Sequence, residues 1–147
     1  MITLRSIKAV LTGRLKIAYP EYKVHFDNVD KANAPYFYVE MQPLITTVDE
    51  VYSDRTIQVD ITFVPEEDAY GRADRMVLYD MGDMLDELIR PVLRVEDRAI
   101  TIGNAEITIH DEVLHYIFNL VFADYREAKC LTMDLMEELE LRLNEEE

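Results

Sequence analysis

The chain has 147 residues, 30 acidic against 15 basic side chains, a formal net charge of -15, one cysteine and no tryptophan. A domain of this length buries roughly 70% of the surface its unfolded chain exposes, so one core over residues 1–147 suffices, and the lone Cys130 excludes an internal disulfide framework and suits a reducing, cytosolic compartment. With 49% hydrophobic residues the composition favours order, while no apolar run approaches the roughly 18 residues a spanning helix needs and Met1–Ser6 continues into mixed positions instead of a signal core, so no membrane is expected.

Ile2, Leu4, Ile7, Val10, Leu11, Leu15 and Ala18 recur at helical spacing until Pro20, which predicts a helix over 2–18. Tyr22 to Phe26 alternates as a short strand, and a polar loop follows to Pro35. Tyr36 to Val48 reads as a long strand in which Pro43 requires an edge position or a bulge. After a turn at Asp49-Glu50, a strand from Thr56 puts Ile57, Val59, Ile61 and Phe63 on one face and polar residues on the other. Pro65-Glu66-Glu67-Asp68 breaks it and places carboxylates at the start of a second helix, from about Ala69 to Arg90, with the stripe Val77, Leu78, Met81, Met84, Leu85, Leu88 and Ile89. Short strands follow at 92–95, 98–102 and 105–110, the last two joined through Gly103-Asn104 as a hairpin. Val113 to Ala123 alternates large apolar side chains and adds Ile117 and Val121, which predicts a central strand buried on both sides. A final helix over about 131–144 ends in a fraying acidic tail. The order α-β-β-β-α-β-β-β-β-α predicts an α+β fold, one mixed and mostly antiparallel sheet with flanking helices.

Charge is unevenly placed. The basic residues Arg5, Lys8, Arg14 and Lys16 gather on the first helix, and the rest of the chain is neutral or acidic. That pattern disfavours tight binding to free nucleic acid or an anionic membrane, because phosphate neutralisation needs an extended basic stripe. It suits a basic protein partner, or a wall past which a polyanion slides.

Motifs for chemistry are sparse. Four glycines, at 13, 71, 82 and 103, leave no phosphate-cradling loop, and the chain has no CxxC, HExxH or GxSxG. Asp80, Asp83, Asp86 and Glu87 have the spacing of a hard-cation site, but equally that of a solvated helix face beside an apolar stripe. His110, Asp111, Glu112 and His115 supply acid–base material at a turn, where hairpin capping is the plainer role. Glu127-Ala128-Lys129 matches the E-x-K ending of metal-dependent nucleases without an upstream acid in a neighbouring strand. No catalytic residue, metal site or cofactor is therefore assigned.

The Ile2-Thr3-Leu4-Arg5-Ser6-Ile7 helix, the Tyr36-Phe37-Tyr38-Val39-Glu40 strand, the Thr56-Ile57-Gln58-Val59-Asp60-Ile61 strand with its following helix, and the C-terminal strand group resemble the tail terminator proteins of tailed bacteriophages, in the small form carried by prophages of Gram-positive bacteria. The resemblance implies a non-enzymatic virion tail protein, assembled in the bacterial cytoplasm. It further implies a homo-oligomer, a hexameric ring, on the end of the tail tube that stops polymerisation and joins tail to head. Implied partners are the major tail tube protein and a head-completion (connector) protein, with DNA passing through the ring without specific binding. Another head–tail connector or tail-completion role is the alternative, and a small metal-dependent hydrolase a more distant one.

A ring subunit needs sheet edges or hairpins that meet a neighbour. The hairpin of residues 36 to 64 presents such an edge, and Asp49, Glu50, Tyr52 and Asp54 near its tip are the candidate contacts to the neighbouring subunit or tube. Acidic residues lining the central hole form a second expectation.

Overall fold

The computed structural model describes residues 2–26 and 34–125, and the structural statements that follow concern these. Helix α1, Leu4–Ala18, starts two residues later than its periodicity suggests because Thr3 caps it, its hydroxyl accepting the Ser6 N–H at 3.1 Å. Ile7, Leu11 and Leu15 form its buried stripe. Strand β1, Lys23–Phe26, runs parallel to β2, Tyr36–Thr47. Strand β2 pairs antiparallel with β3, Tyr52–Val64, from Tyr36↔Val64 to Thr47↔Ser53. Helix α2 spans Arg75–Ile89, β4 Val92–Val95, β5 Arg98–Thr101, β6 Ala105–His110 and β7 Val113–Tyr125. The main sheet has the order β1-β2-β3-β7-β6 and is antiparallel except for its first pair, so the α+β expectation holds.

Several local expectations need correction. Strand β3 begins at Tyr52, not Thr56, because β7 lies along its far side up to Tyr52↔Tyr125 and supplies the missing ladder. Helix α2 begins at Arg75, not near Ala69. Asp68 spends its carboxylate on the amides of Tyr70 and Arg72, and the N-cap is Asp74, accepting from the Met76 N–H. The Gly103-Asn104 hairpin is absent: β5 pairs with β4 in a separate two-stranded sheet, while β6 pairs with β7. A single sheet therefore becomes two.

Strand β7 is interior but covered on one face. Leu114, Tyr116, Phe118, Leu120 and Phe122 are buried, whereas Val121 is 61% exposed and Asn119 lies open beside it. On α2, Leu78, Met81, Leu85 and Ile89 are buried with Gly82, but Val77 and Met84 face solvent. Pro43 stands in unbroken register opposite Ile57, so the edge explanation holds and no bulge is needed. The expected helix at 131–144 lies outside the described residues.

Both helices and the β4–β5 pair cover one face of the main sheet and share its core, where Ile57, Val59, Ile61 and Phe63 of β3 are buried as their alternation predicts. Helix α1 contacts β1 and β4, while α2 contacts β7 and β6, so the helices lie toward opposite edges of the sheet. A polar tie fixes α2. The buried Tyr116 hydroxyl donates to Asp86 Oδ1 at 2.8 Å, and Arg90 Nε donates to the same oxygen at 2.6 Å.

Those hydrogen bonds from Arg90 and Tyr116 hold the Asp86 carboxyl below its usual range, while burial, then the Asp86 bond, push the Tyr116 phenol above its usual 10.0. A phenol raised on folding contributes stability that is fully present below pH 10 and is lost as pH rises above that value. Tyr116→Phe is therefore expected to flatten the alkaline arm of a pH–stability curve and to cost about 1 kcal/mol at neutral pH. Urea titrations of both proteins between neutral and alkaline pH check this. An unchanged alkaline slope in the variant would assign that arm elsewhere, for example to Tyr19, whose phenol is also raised by burial.

Candidate assembly surfaces

The β2–β3 turn is built by one of the residues expected to make contacts. Asp49 Oδ1 accepts the N–H groups of Val51 at 2.8 Å and Tyr52 at 2.7 Å, and the Tyr52 carbonyl accepts from the Val48 and Asp49 amides. Those two backbone donors lower the Asp49 carboxyl pKa. Its carboxylate shapes the turn, leaving Glu50 exposed at the tip. Tyr52 and Asp54 project together from the sheet face opposite the helices, with Tyr52 52% exposed and its ring 6.5 Å from that of Tyr125. The four candidates thus divide into a turn-former, a tip charge and two outer-face groups; they do not converge on one point.

The hairpin is open along one side only. Strand β7 covers β3 from Tyr52 to Phe63, and β1 covers β2 from Tyr36 to Val39. From Glu40 to Thr47, β2 has no outer strand among the described residues, which leaves a free ladder edge with Leu44 and Ile45 63% and 57% exposed. Free edges of this kind are sites of pairing with another chain. Beside this edge runs an open groove of about 640 Å³, walled by Leu4, Arg5, Lys8, Ala9, Thr12 and Gly13 of α1 and floored by Met41. Lys8 is held there with its ammonium 5.0 Å from the Phe26 ring centroid. A β-carbon at Gly13 would meet nothing within 4 Å, so the groove wall is low at that point.

A buried charged cluster, which the sequence reading missed, braces the neighbouring end of the sheet. Asp124 accepts the Ile2 N–H at 2.8 Å and lies 3.9 Å from the guanidinium nitrogens of both Arg55 and Arg98. Arg55 donates in turn to the Ile2 carbonyl and Arg98 to the Ala123 carbonyl, and both guanidiniums stack on Phe122, at 5.7 and 5.4 Å. The signal was present: Arg55 is in phase with Ile57, Val59 and Ile61, and Asp124 with Leu120 and Phe122, so opposite charges occur on the buried faces of adjacent strands.

The remaining polar constellations disperse. His110 and Asp111 lie 3.3 Å apart at a solvent-exposed turn whose two residues, Asp111 and Glu112, have φ of 51° and 63°. The Glu112 carboxylate accepts the Ala73 N–H at 3.0 Å, and His115 instead meets Asp60 and Thr62, each at 3.2 Å. Of the α2 acids, Asp86 is engaged by Tyr116 and Arg90, whereas Asp80, Asp83 and Glu87 are exposed, and no three metal-ligating side chains gather among the described residues. Glu127, Lys129 and Cys130 lie outside those residues. Among the described residues no helix is long and apolar enough to cross a membrane.

A family model described as phage tail terminator protein matches residues 6–130. No curated protein matches the chain. One solved chain that bears no functional name aligns over 86% of this chain and 97% of its own, at 19% identity and a TM-score of 0.49.

Proposed function

The chain belongs to the phage tail terminator family, and from that premise we propose that it closes into a ring on the end of the tail tube, stops tube polymerisation there and joins the tail to the head. A structural role in the phage tail, and a place in the virion tail, follow from the family itself. The observation that supports ring formation best is the free β2 edge from Glu40 to Thr47 with the α1 groove beside it. A neighbouring subunit that pairs with this edge satisfies ladder groups that have no strand partner among the described residues.

On this reading the partners are further copies of the chain, in a hexamer, together with the major tail tube protein below and the head-completion connector above. The net charge of -15 supports a lumen through which DNA passes without specific binding. Assembly takes place in the bacterial cytoplasm, and no step requires catalysis or a cofactor. A connector or tail-completion protein that binds the filled head instead of the tube is the competing role.

Sedimentation velocity over a concentration series, with and without isolated tail tubes and followed by electron microscopy, tests the proposal. Closed rings of about six copies, free or on tube ends, are expected. A chain that stays monomeric and leaves tube ends bare overturns it, and one that decorates heads alone points to the connector role. Glu50→Lys combined with Asp54→Lys is expected to weaken ring formation or tube capping while leaving the melting temperature unchanged. Undiminished assembly in that double variant removes both residues from the interface. Asp49 is left out because its loss disturbs the turn itself.

A further inference from the structure

Closing a ring head to tail requires two different surfaces on each subunit, one complementary to the other. The chain carries such a pair at opposite sides of its helical layer. One is the groove between α1 and the β2 edge, whose wall presents the cations Arg5 and Lys8 and the half-exposed Leu4, and whose floor continues from Met41 to the 57% exposed Ile45 on the same strand face. The other is the outer face of α2. Val77, Asp80, Met84 and Glu87 follow one another at helical spacing there, with Asp83 beside them. Val77 and Met84 are 47% and 49% exposed, although the helix has an ample buried stripe on its other side.

Most charges on the two surfaces form no ion pair among the described residues. Asp80, Asp83 and Glu87 enter no ion pair with a described residue, nor does Arg5, whereas Asp86, one position away, is engaged twice. We propose that the outer face of α2 of one subunit seats in the α1–β2 groove of the next, Val77 and Met84 against the apolar floor and the three acids against Arg5 and Lys8. The two surfaces are opposite in charge and alike in apolar content, and because they lie toward opposite sheet edges the contact propagates around a ring instead of pairing two copies face to face. This inference rests on the ring reading above and names the surfaces that would close it.

A charge-swap experiment tests it. Arg5→Glu with Lys8→Glu makes both surfaces of a subunit acidic, and Asp80→Lys with Asp83→Lys makes both basic, so each variant alone is expected to sediment as a single subunit. Mixed in equal amounts they are expected to regain rings, with the two variants alternating. Ala9→Trp, at an exposed helix position, fills the groove without changing charge and is expected to block assembly too. Circular dichroism confirms that the variants are folded. If wild type forms rings and the variants do so undiminished, or if the folded variants are dispersed and mixing does not restore rings, the proposed contact is overturned while the ring reading stands. If wild type itself forms no ring, with or without tail tubes, the ring reading fails and this inference falls with it.

Discussion

Asp124→Ala is expected to cost about 3–5 kcal/mol, a large share of the roughly 5–15 kcal/mol that holds a domain of this kind together. Asp124 is only 4% exposed and Arg55 7%, so truncating the carboxylate strands a guanidinium where water cannot reach it. Arg55 keeps only its bond to the Ile2 carbonyl, its buried Nε having no partner among the described residues, and the Ile2 amide loses its acceptor at the same time. Arg98, more exposed, re-solvates at little cost. Urea denaturation monitored by far-ultraviolet circular dichroism measures the loss. Asp124→Asn, which keeps an acceptor for Ile2, is expected to fall between wild type and alanine. The double change Arg55→Met with Asp124→Leu should recover much of the stability, because removing both buried charges avoids the penalty that removing one creates. Equal midpoints for wild type and Asp124→Ala would mean that the cluster contributes nothing net.

Phe37→Ala is the second large effect, again about 3–5 kcal/mol. Phe37 is fully buried on β2, with Phe63 at 5.2 Å, Tyr19 at 5.5 Å and Tyr22 at 5.8 Å between ring centroids. It pairs across the sheet with Val24 and Phe63, so its ring joins the parallel strand β1, the central strand β3 and the residues just after α1. Neighbours drawn from β1, β3 and the α1–β1 connection collapse poorly into the space left behind, which places the change at the costly end of core truncations. Hydrogen exchange is expected to speed up first in β1 and the last turn of α1. Loss spread evenly over the sheet would show that the aromatic cluster is not a separate unit.

What was legible in the sequence was what local period decides. Alternation alone identified the buried face of β3 and the five large side chains on one face of β7, and Pro43 marked an edge. What failed depended on partners distant in sequence. Gly103-Asn104 carries a hairpin signal, but Ile100 is buried opposite Leu93, so β5 turns back to β4 and the chain crosses to the other sheet without using the glycine's conformational freedom. The acidic run at Pro65–Asp68 imitates a helix start as well as Asp74 does, and only the Asp68 hydrogen bonds show that it closes a loop instead. Ile117 and Val121 suggested a second covered face on β7, but Asn119 stands between them and the face is left partly open.

The likeness of the chain to tail terminators was readable, and the family is that of the match over residues 6–130. The groove was not. It exists only because α1 lies beside the uncovered half of β2, a relation that no stretch of either element encodes. The turn at Asp49-Glu50 was readable, but not that the Asp49 carboxylate is taken up in building it, two and three residues before the amides from which it accepts.

The strand order has a consequence for how the protein is made. Strand β3 sits at the centre of the sheet, yet the neighbour on its inner side, β7, begins only at Val113, whereas β3 ends at Val64. At synthesis rates of about 5–20 residues per second, the growing chain carries β3 for several seconds with one side unpaired and its apolar face incompletely roofed. During that interval the central strand of the finished sheet is an edge, open to other nascent chains. Slowing initiation or lowering temperature during production should therefore raise the soluble yield more than strengthening any contact in the completed fold.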